Sequence, residues 1–472
     1  MATHIIKLKL YFSNQHGNTI VFVAICLFVL IAFAALALDV GHLVVTKNEL
    51  QNAADAGALA GAHKLYSDDG RFITADAARQ IAEVVSEMNK SDNEDVDVGV
   101  EDVLIGHWSF GLGSLDKGFT ASASTDAVAL WGVSTVALDQ NEDFINAVQV
   151  TAWRKDQTVT SWFARIFGFE EGFLQSATAV AYIGFAGSVE PETFDQPIAI
   201  CKESLLQRNG EGEPYWDCNI GRMLNSSDNQ STSNTGAWTN LTQDPCETAS
   251  VPTLRPLVCG EGNPTPLLFG SGIGAIGGVA DNIFRDLADC WHNFTDDTYP
   301  STGDDLPDTV WSGLKLPVVS CPGNNVSNCP TLQGVVVLDI IWVERNGDLS
   351  KIDDYAPKHM EDPRDEGTSW PNDSDKAVPL DVLRNYYVGR NDGDLFPTQA
   401  ELDADYDDRF DNGKVRWASF VKRFKLLNAD DQPAPWQHKA IYFMPNCDYH
   451  EPDGTSQGEN FGVLAIIPIL VE

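Results

Sequence analysis

Nineteen consecutive residues, Ile20 to Leu38, read IVFVAICLFVLIAFAALAL and carry no charge. As a helix this run is roughly 28 Å long, close to the hydrocarbon thickness of a bilayer. It stops at Asp39, but the helical pattern does not: Leu43, Leu50, Ala53, Ala54, Gly57, Ala58, Gly61 and Ala62 continue it. The pattern predicts a membrane anchor running into an Ala-rich stalk, with everything after Tyr66 on one side of the membrane. Lys7 and Lys9 precede the span with no acid among them, which favours a cytoplasmic N-terminus. Nineteen uninterrupted apolar residues argue against a buried core helix. Ala32-Phe33-Ala34 and Ala35-Leu36-Ala37 would suit signal-peptide cleavage, but the run exceeds the ~7–15 residues of a signal core. A retained single-pass anchor is the expectation.

Within the stalk, Ala53, Gly57 and Gly61 fall at i, i+4 and i+8, with Ala54, Ala58 and Ala62 beside them. Such rows let another helix approach closely. Alanine alone would only signal helix propensity, but each glycine costs a helix about 0.8–1 kcal/mol relative to Ala. Ala53, Gly57 and Gly61 are therefore the candidate helix-packing residues, facing a partner helix.

The remaining chain divides into three stretches after the anchor and stalk of residues 1–66. Residues 67–190 read as a small α+β unit. Ala75 to Met88 is an amphipathic helix with Ala78, Ile81, Ala82, Val85 and Met88 on one face. Val96, Val98 and Val100 alternate as a strand does, and Val103–Phe110, Ala147–Trp153 and Ala177–Ile183 look like further strands. Trp162 to Phe169 reads as a short helix. Residues 191–330 are dominated by loops rich in Pro, Gly, Asn and Ser. Residues 331–472 turn regular and β-rich, with strands at Gly334–Val343, His438–Met444 and Phe461–Val471. The fold class is α+β, with a single transmembrane helix continuing into the stalk.

Charge and cysteine sharpen this picture. The formal charge is −37; the 406 residues after Tyr66 hold 27 basic and 65 acidic side chains. Such a surface repels nucleic acid and anionic lipid. Cys26 lies inside the span, while Cys201, Cys218, Cys246, Cys259, Cys290, Cys321, Cys329 and Cys447 all follow residue 200. Eight exported cysteines imply four disulfides, with 105 possible connectivities, in an oxidising compartment. No C-x-x-C and no zinc-ligand spacing occurs, so no metal-thiolate site is expected.

Candidate chemistry is sparse. Gly272-x-Gly274-x-x-Gly277 matches a dinucleotide fingerprint, but Pro264 and Pro266 interrupt the strand it needs and no βαβ unit follows. A flexible turn into a helix at Val279–Trp291 is the plainer reading. There is no Gly-x-Ser-x-Gly, His-Glu-x-x-His or Gly-Lys-Ser/Thr. Asp403, Asp405 and Asp407 alternate as calcium-loop carboxylates do. The sixth and twelfth places, however, hold Asp408 and Lys414 instead of Gly and Glu. A solvated acidic helix or turn competes with a calcium site there. No catalytic residue and no cofactor is expected.

The stretch from Gly17 through Ala37-Leu38-Asp39-Val40-Gly41 to Leu50-Gln51-Asn52-Ala53-Ala54-Asp55-Ala56-Gly57-Ala58-Leu59-Ala60-Gly61 resembles the N-terminal segment of TadE/TadG-like Flp pilus-assembly proteins. VLIGHWSF, NAVQVTAWR, SWFARIFGF and SATAVAYIG resemble the segment that commonly follows in TadG-like proteins. Type IV pilins carry Glu five residues after the cleaved glycine; here that residue is Phe22, which places the chain nearer the anchored TadG-like type. The resemblance implies a non-enzymatic, structural component of Tad/Flp pilus assembly or tight-adherence secretion in a bacterial inner membrane. Its body would be periplasmic, and its partners pseudopilins, the inner-membrane platform, the secretin or itself. A surface adhesin, a calcium-dependent binding module and a tethered periplasmic hydrolase are the alternatives. From about Phe185 onward no resemblance is apparent.

Overall fold

In the computed structural model, residues 16–472 are described except 132, 168–171, 206, 209–213, 216, 226–235, 261, 278–280, 296–309, 323–325, 346, 359, 362–368, 371–377, 388–394, 410 and 429–431. Lys7 and Lys9, on which the expected orientation rests, lie outside the described residues. One helix, α1 (His16–His63), contains both the apolar run and the stalk without a break. From Ile20 to Leu38 nearly every residue is exposed; from Leu50 onward Ala53, Ala54, Ala58 and Ala62 are fully buried. The same helix is therefore free at one end and embedded at the other. It is the one described helix long and apolar enough to cross a membrane.

Helix α2 (Ala75–Glu87), with Asp76 favourably placed in its first turn, packs along the upper part of α1. Both helices cover a five-stranded antiparallel sheet. Its strands β1 (Val103–Ser109), β2 (Gly118–Ala121), β3 (Ala147–Val159) and β4 (Phe173–Tyr182) are taken from this part of the chain. Alternation decides which face is inward: Val148, Val150 and Ala152 of β3 join Ala177, Ala179 and Ala181 of β4 in the core with α1. Opposite pairs are small on β4, as in Val150–Ala179 and Ala152–Ala177, so the helix can sit close.

A second, seven-stranded sheet follows. It contains β5 (Ile198–Cys201), β6 (Arg222–Asn225), β7 (Gly236–Thr239), β8 (Ala275–Gly277), β9 (Trp311–Val319), β10 (Leu332–Glu344) and β11 (Ala440–Pro445). The order is β6-β11-β10-β9-β5-β7-β8, antiparallel except for β9 beside β5. The stretch read as loop-dominated, 191–330, thus supplies five of these strands and shares one sheet with 331–472. Helices α3 (Asp281–Thr295), α4 (Leu380–Tyr387), α5 (Gln399–Tyr406) and α6 (Gly413–Arg423) accompany it. Asn412 starts α6 by accepting the Lys414 and Val415 N–H groups. Trp291, Trp342, Trp417, Phe420, Phe424 and Tyr442 fill the core on this side.

Two expected strands take other forms. Val96 and Val98 are buried, but the chain turns at Gly99 into a 3-10 turn, Val100–Asp102, and Val100 is exposed. In Phe461–Val471 only β12 (Ile469–Leu470) is a strand, because Pro468 lacks the N–H a longer ladder needs. It joins the edge of the first sheet beside β4, and Val180 N–H donates to the Glu472 carbonyl at 2.7 Å.

Candidate functional site

The small-residue rows of α1 meet a matching row on α2, whose buried residues are Ala78, Ala82 and Ser86. A side-chain carbon at Gly57 would lie 2.9 Å from the Ala82 carbonyl oxygen and collide with Ser86 Oγ. One at Gly61 would lie 3.1 Å from Ala82 Cβ and 3.0 Å from Val148 Cγ1. At Gly57 a side chain has no room unless α2 shifts, and at Gly61 the neighbours would have to give by a few tenths of an ångström, so both glycines serve the close approach. The rows do pack against a helix, but within the chain: Gly57 and Gly61 meet its own α2, with β3 beside Gly61, and Ala53 is buried with them. The expected face of α2 is corrected to Ala78-Ala82-Ser86. Ile81 and Val85 are half-buried and Met88 is exposed. The missed signal was the second i, i+4, i+8 row of small residues.

Lower on α1 lies a junction that the residue pattern did not predict. Asp39, 5% exposed, accepts the N–H groups of Trp162 (2.9 Å), Phe163 (3.1 Å) and Ala164 (2.7 Å). These are the free donors at the start of the 3-10 turn Ala164–Phe167, so Asp39 caps it from a different element. One turn further, His42 stacks on Trp162 with ring centroids 4.9 Å apart, and its Nε2 lies 3.0 Å from Asp92 Oδ1. The Leu43 carbonyl accepts from Gln175 Nε2 at 3.0 Å, and the Thr46 carbonyl from Ser91 Oγ at 3.1 Å. Glu49 Oε2 accepts the Asp92 N–H at 2.7 Å, and Gln51 Nε2 donates to the Thr178 carbonyl. Each turn from Asp39 to Gln51 is thus tied to the five-stranded unit. The sequence marked Asp39 only as the end of the apolar run, because its partners are more than 120 residues away.

Above the seam, Tyr66 donates to the Ile145 carbonyl at 2.5 Å. Burial, reinforced by Tyr182 and Tyr449, pushes the Tyr66 hydroxyl well up, so it stays a donor.

The eight later cysteines form four pairs at bonding distance: Cys201–Cys321, Cys218–Cys447, Cys246–Cys329 and Cys259–Cys290. Their Cα separations run from 5.5 to 6.5 Å, within the usual disulfide range. Cys26 is free and exposed on α1. The glycine fingerprint has its explanation beside one of these pairs. A Cβ at Gly272 would press on both sulfurs of Cys246–Cys329, and one at Gly274 would meet Asn240 and the Glu247 carbonyl. Those glycines admit a disulfide and a backbone turn, with no phosphate cradle.

Asp403, Asp405 and Asp407 are not brought together. The first two lie on α5 and Asp407 just past its end, and helix positions two apart point about 200° apart. Asp403 is engaged by Arg384, whose Nε donates to it at 2.7 Å. Among the described residues no group of three or more His, Cys, Asp or Glu is placed to hold a metal ion.

Two family models match the N-terminal part of the chain. Residues 17–64 match putative Flp pilus-assembly TadE/G-like proteins, and residues 60–181 match the putative Tad-like Flp pilus-assembly family. The two matches overlap at the end of α1 and together cover its apolar run, its small-residue rows and the first sheet as far as residue 181 in β4. No curated protein and no solved structure matches the chain.

Proposed function

We propose that this protein is a membrane-anchored structural component of Tad/Flp pilus assembly. In this role it acts as a strut with no hinge between anchor and body. The pair of family matches supports a role in pilus assembly. The observation that carries the finer reading is α1 itself. Its lower half is apolar and exposed on all sides, as lipid contact requires. Its upper half is the central helix of the soluble core. Motion of the body relative to the anchor would break the ties at Asp39, Leu43 and Thr46. Such a part suits bracing: it holds a large acidic body at fixed height beside other assembly proteins, whether pseudopilins, platform, secretin or further copies of itself. In this reading the body is periplasmic, where its cysteine pairs form.

The test replaces residues 1–38 by a cleavable signal peptide, releasing the body unanchored into the periplasm, and counts surface pili. The expected result is loss of pili with the released body and recovery with the native anchor. Normal piliation by the released body would overturn the strut reading.

A further inference from the structure

The apolar surface of α1 does not end where its charge-free run ends. Beyond Asp39, Val40, Val44 and Val45 are all at least half exposed. At this same height the five-stranded unit contributes two large apolar side chains to solvent: Trp162 is 58% exposed and Leu174 is 68% exposed. Both are fixed there, Trp162 by its N–H on Asp39 and its stack on His42, and Leu174 by Gln175 bonding to the Leu43 carbonyl. Arg165, exposed on the next residues of the same turn, adds a cation of the kind that reaches toward headgroups. A soluble surface gains nothing from exposing a Trp and a Leu beside a valine stripe.

We propose that Trp162, Leu174 and the Val40-Val44-Val45 stripe form an interfacial collar that beds the base of the body in the headgroup region of the bilayer. The inference rests on the reading of α1 as a membrane anchor. Lipid is the occupant these observations favour because the apolar exposure encircles α1 and is continuous with the collar. A partner helix or second copy would leave a single stripe. Trp is also the residue that gathers at membrane–water interfaces. Asp39 fits this position, since its carboxylate at the boundary is enclosed by three N–H groups instead of facing hydrocarbon. The contact is apolar, so it differs from charge-driven binding, which the acidic body would oppose.

The experiment uses the full chain in phosphatidylcholine–phosphatidylethanolamine vesicles carrying nitroxide lipids, with the spin label either near the headgroup or near the chain end. A polarity-sensitive fluorophore is placed at Leu174→Cys or at Trp162→Cys, each in a Cys26→Ala background. A label at Glu142→Cys, in the exposed turn before β3, is the aqueous control, and a label on native Cys26 reports the span. The expected result is blue-shifted emission at 174 and 162, quenched by the headgroup nitroxide more than by the deep one and unchanged by added salt. Glu142→Cys should remain unquenched and Cys26 should respond to the deep nitroxide. If 174 and 162 match the 142 control while Cys26 is quenched, the collar is overturned and the anchor stands. If Cys26 escapes lipid quenching, both readings fall. Shielding at 174 that persists in detergent, scales with protein concentration and ignores nitroxide lipid assigns the patch to a second copy and overturns the proposal.

Discussion

The two sheets of this molecule reach dense packing by opposite means. Around the first, Ala, Gly and Ser meet Ala, Gly and Val, and backbones approach until a single added carbon at Gly57 collides. Around the second, large rings interlock: Trp417 lies 4.8 Å from Tyr442 and 5.0 Å from Trp436, and Trp291 lies 5.1 Å from Trp342. No cysteine falls between Cys26 and Cys201, and all four pairs belong to the second region. Small side chains lose almost no rotamer freedom on burial, so a helix pair on a sheet holds without covalent help. The second region joins strands far apart in sequence, and its cross-links close loops of up to 229 residues. The family matches end at residue 181, within the first mode.

Reduction should break the comparison hardest. Each disulfide contributes about 2–4 kcal/mol, and four are concentrated in one region. In full-chain protein, a thiol reductant should abolish amide-exchange protection in Ile198–Cys201 and Trp311–Glu344 while Val103–Ser109 and Ala147–Val159 keep theirs. Equal loss in both sheets would mean that they unfold as one unit.

Gly57→Leu should do the converse. Leucine improves helix propensity by about 0.8 kcal/mol. Forcing it against Ala82 and Ser86 costs about 1–3 kcal/mol or more, so packing wins. The expected result is a lowered unfolding midpoint with protection lost in α2 and β3 and retained in β10. A rise in stability would show that α2 does not seat on this row.

The sequence made these two regions unequally legible. Helix α1 was plain because its apolar run and its small rows each repeat over several turns. Strands β1, β3 and β4 were legible as runs of apolar and β-branched residues. What the rows face was not legible: Ala53-Gly57-Gly61 looks the same whether the partner is another protein or Ala78-Ala82-Ser86 a few residues on. In the second region, Ile198–Cys201, Arg222–Asn225 and Gly236–Thr239 are four residues each, too short to show a period. They become strands only through neighbours such as Ile441 and Ala199. Cysteine pairing is likewise a property of the folded chain. Asp39 was visible as a boundary, but its capping of Trp162–Ala164 spans 125 residues.

A smaller effect is expected at that boundary. Asp39→Asn keeps the shape but replaces a charged acceptor by a neutral one with a single oxygen, and bonds to charged acceptors contribute about 1.5–3 kcal/mol. Part of that should be lost locally, speeding amide exchange at Trp162, Phe163 and Ala164 with little change in either sheet. If exchange there stays slow, the turn is held by the His42–Trp162 stack and not by the carboxylate.

The smallest effect concerns pH and belongs to the second region alone. Burial holds the His450 imidazole below its ordinary range, outweighing the Asn446 carbonyl and Asp448, which pull it up; Lys315 also lowers it, and Asp339 raises it. A His depressed by folding contributes stability that is fully present above its unfolded value, about 6.5, and is lost as pH falls through the folded one. Asp339 has the opposite sign. Burial raises its carboxyl despite the bonds from Gly313 and Asn446, so its contribution is present below the unfolded value and lost as pH rises through the folded one. Comparing urea midpoints at about pH 7.5 and about pH 5.5, a window set by the ordinary His value, His450→Gln should lose less stability on acidification than the parent. Amide protection in Ala147–Val159 should not follow the substitution. If His450→Gln leaves the acid-side loss unchanged, the imidazole is not the group that couples the second region to pH.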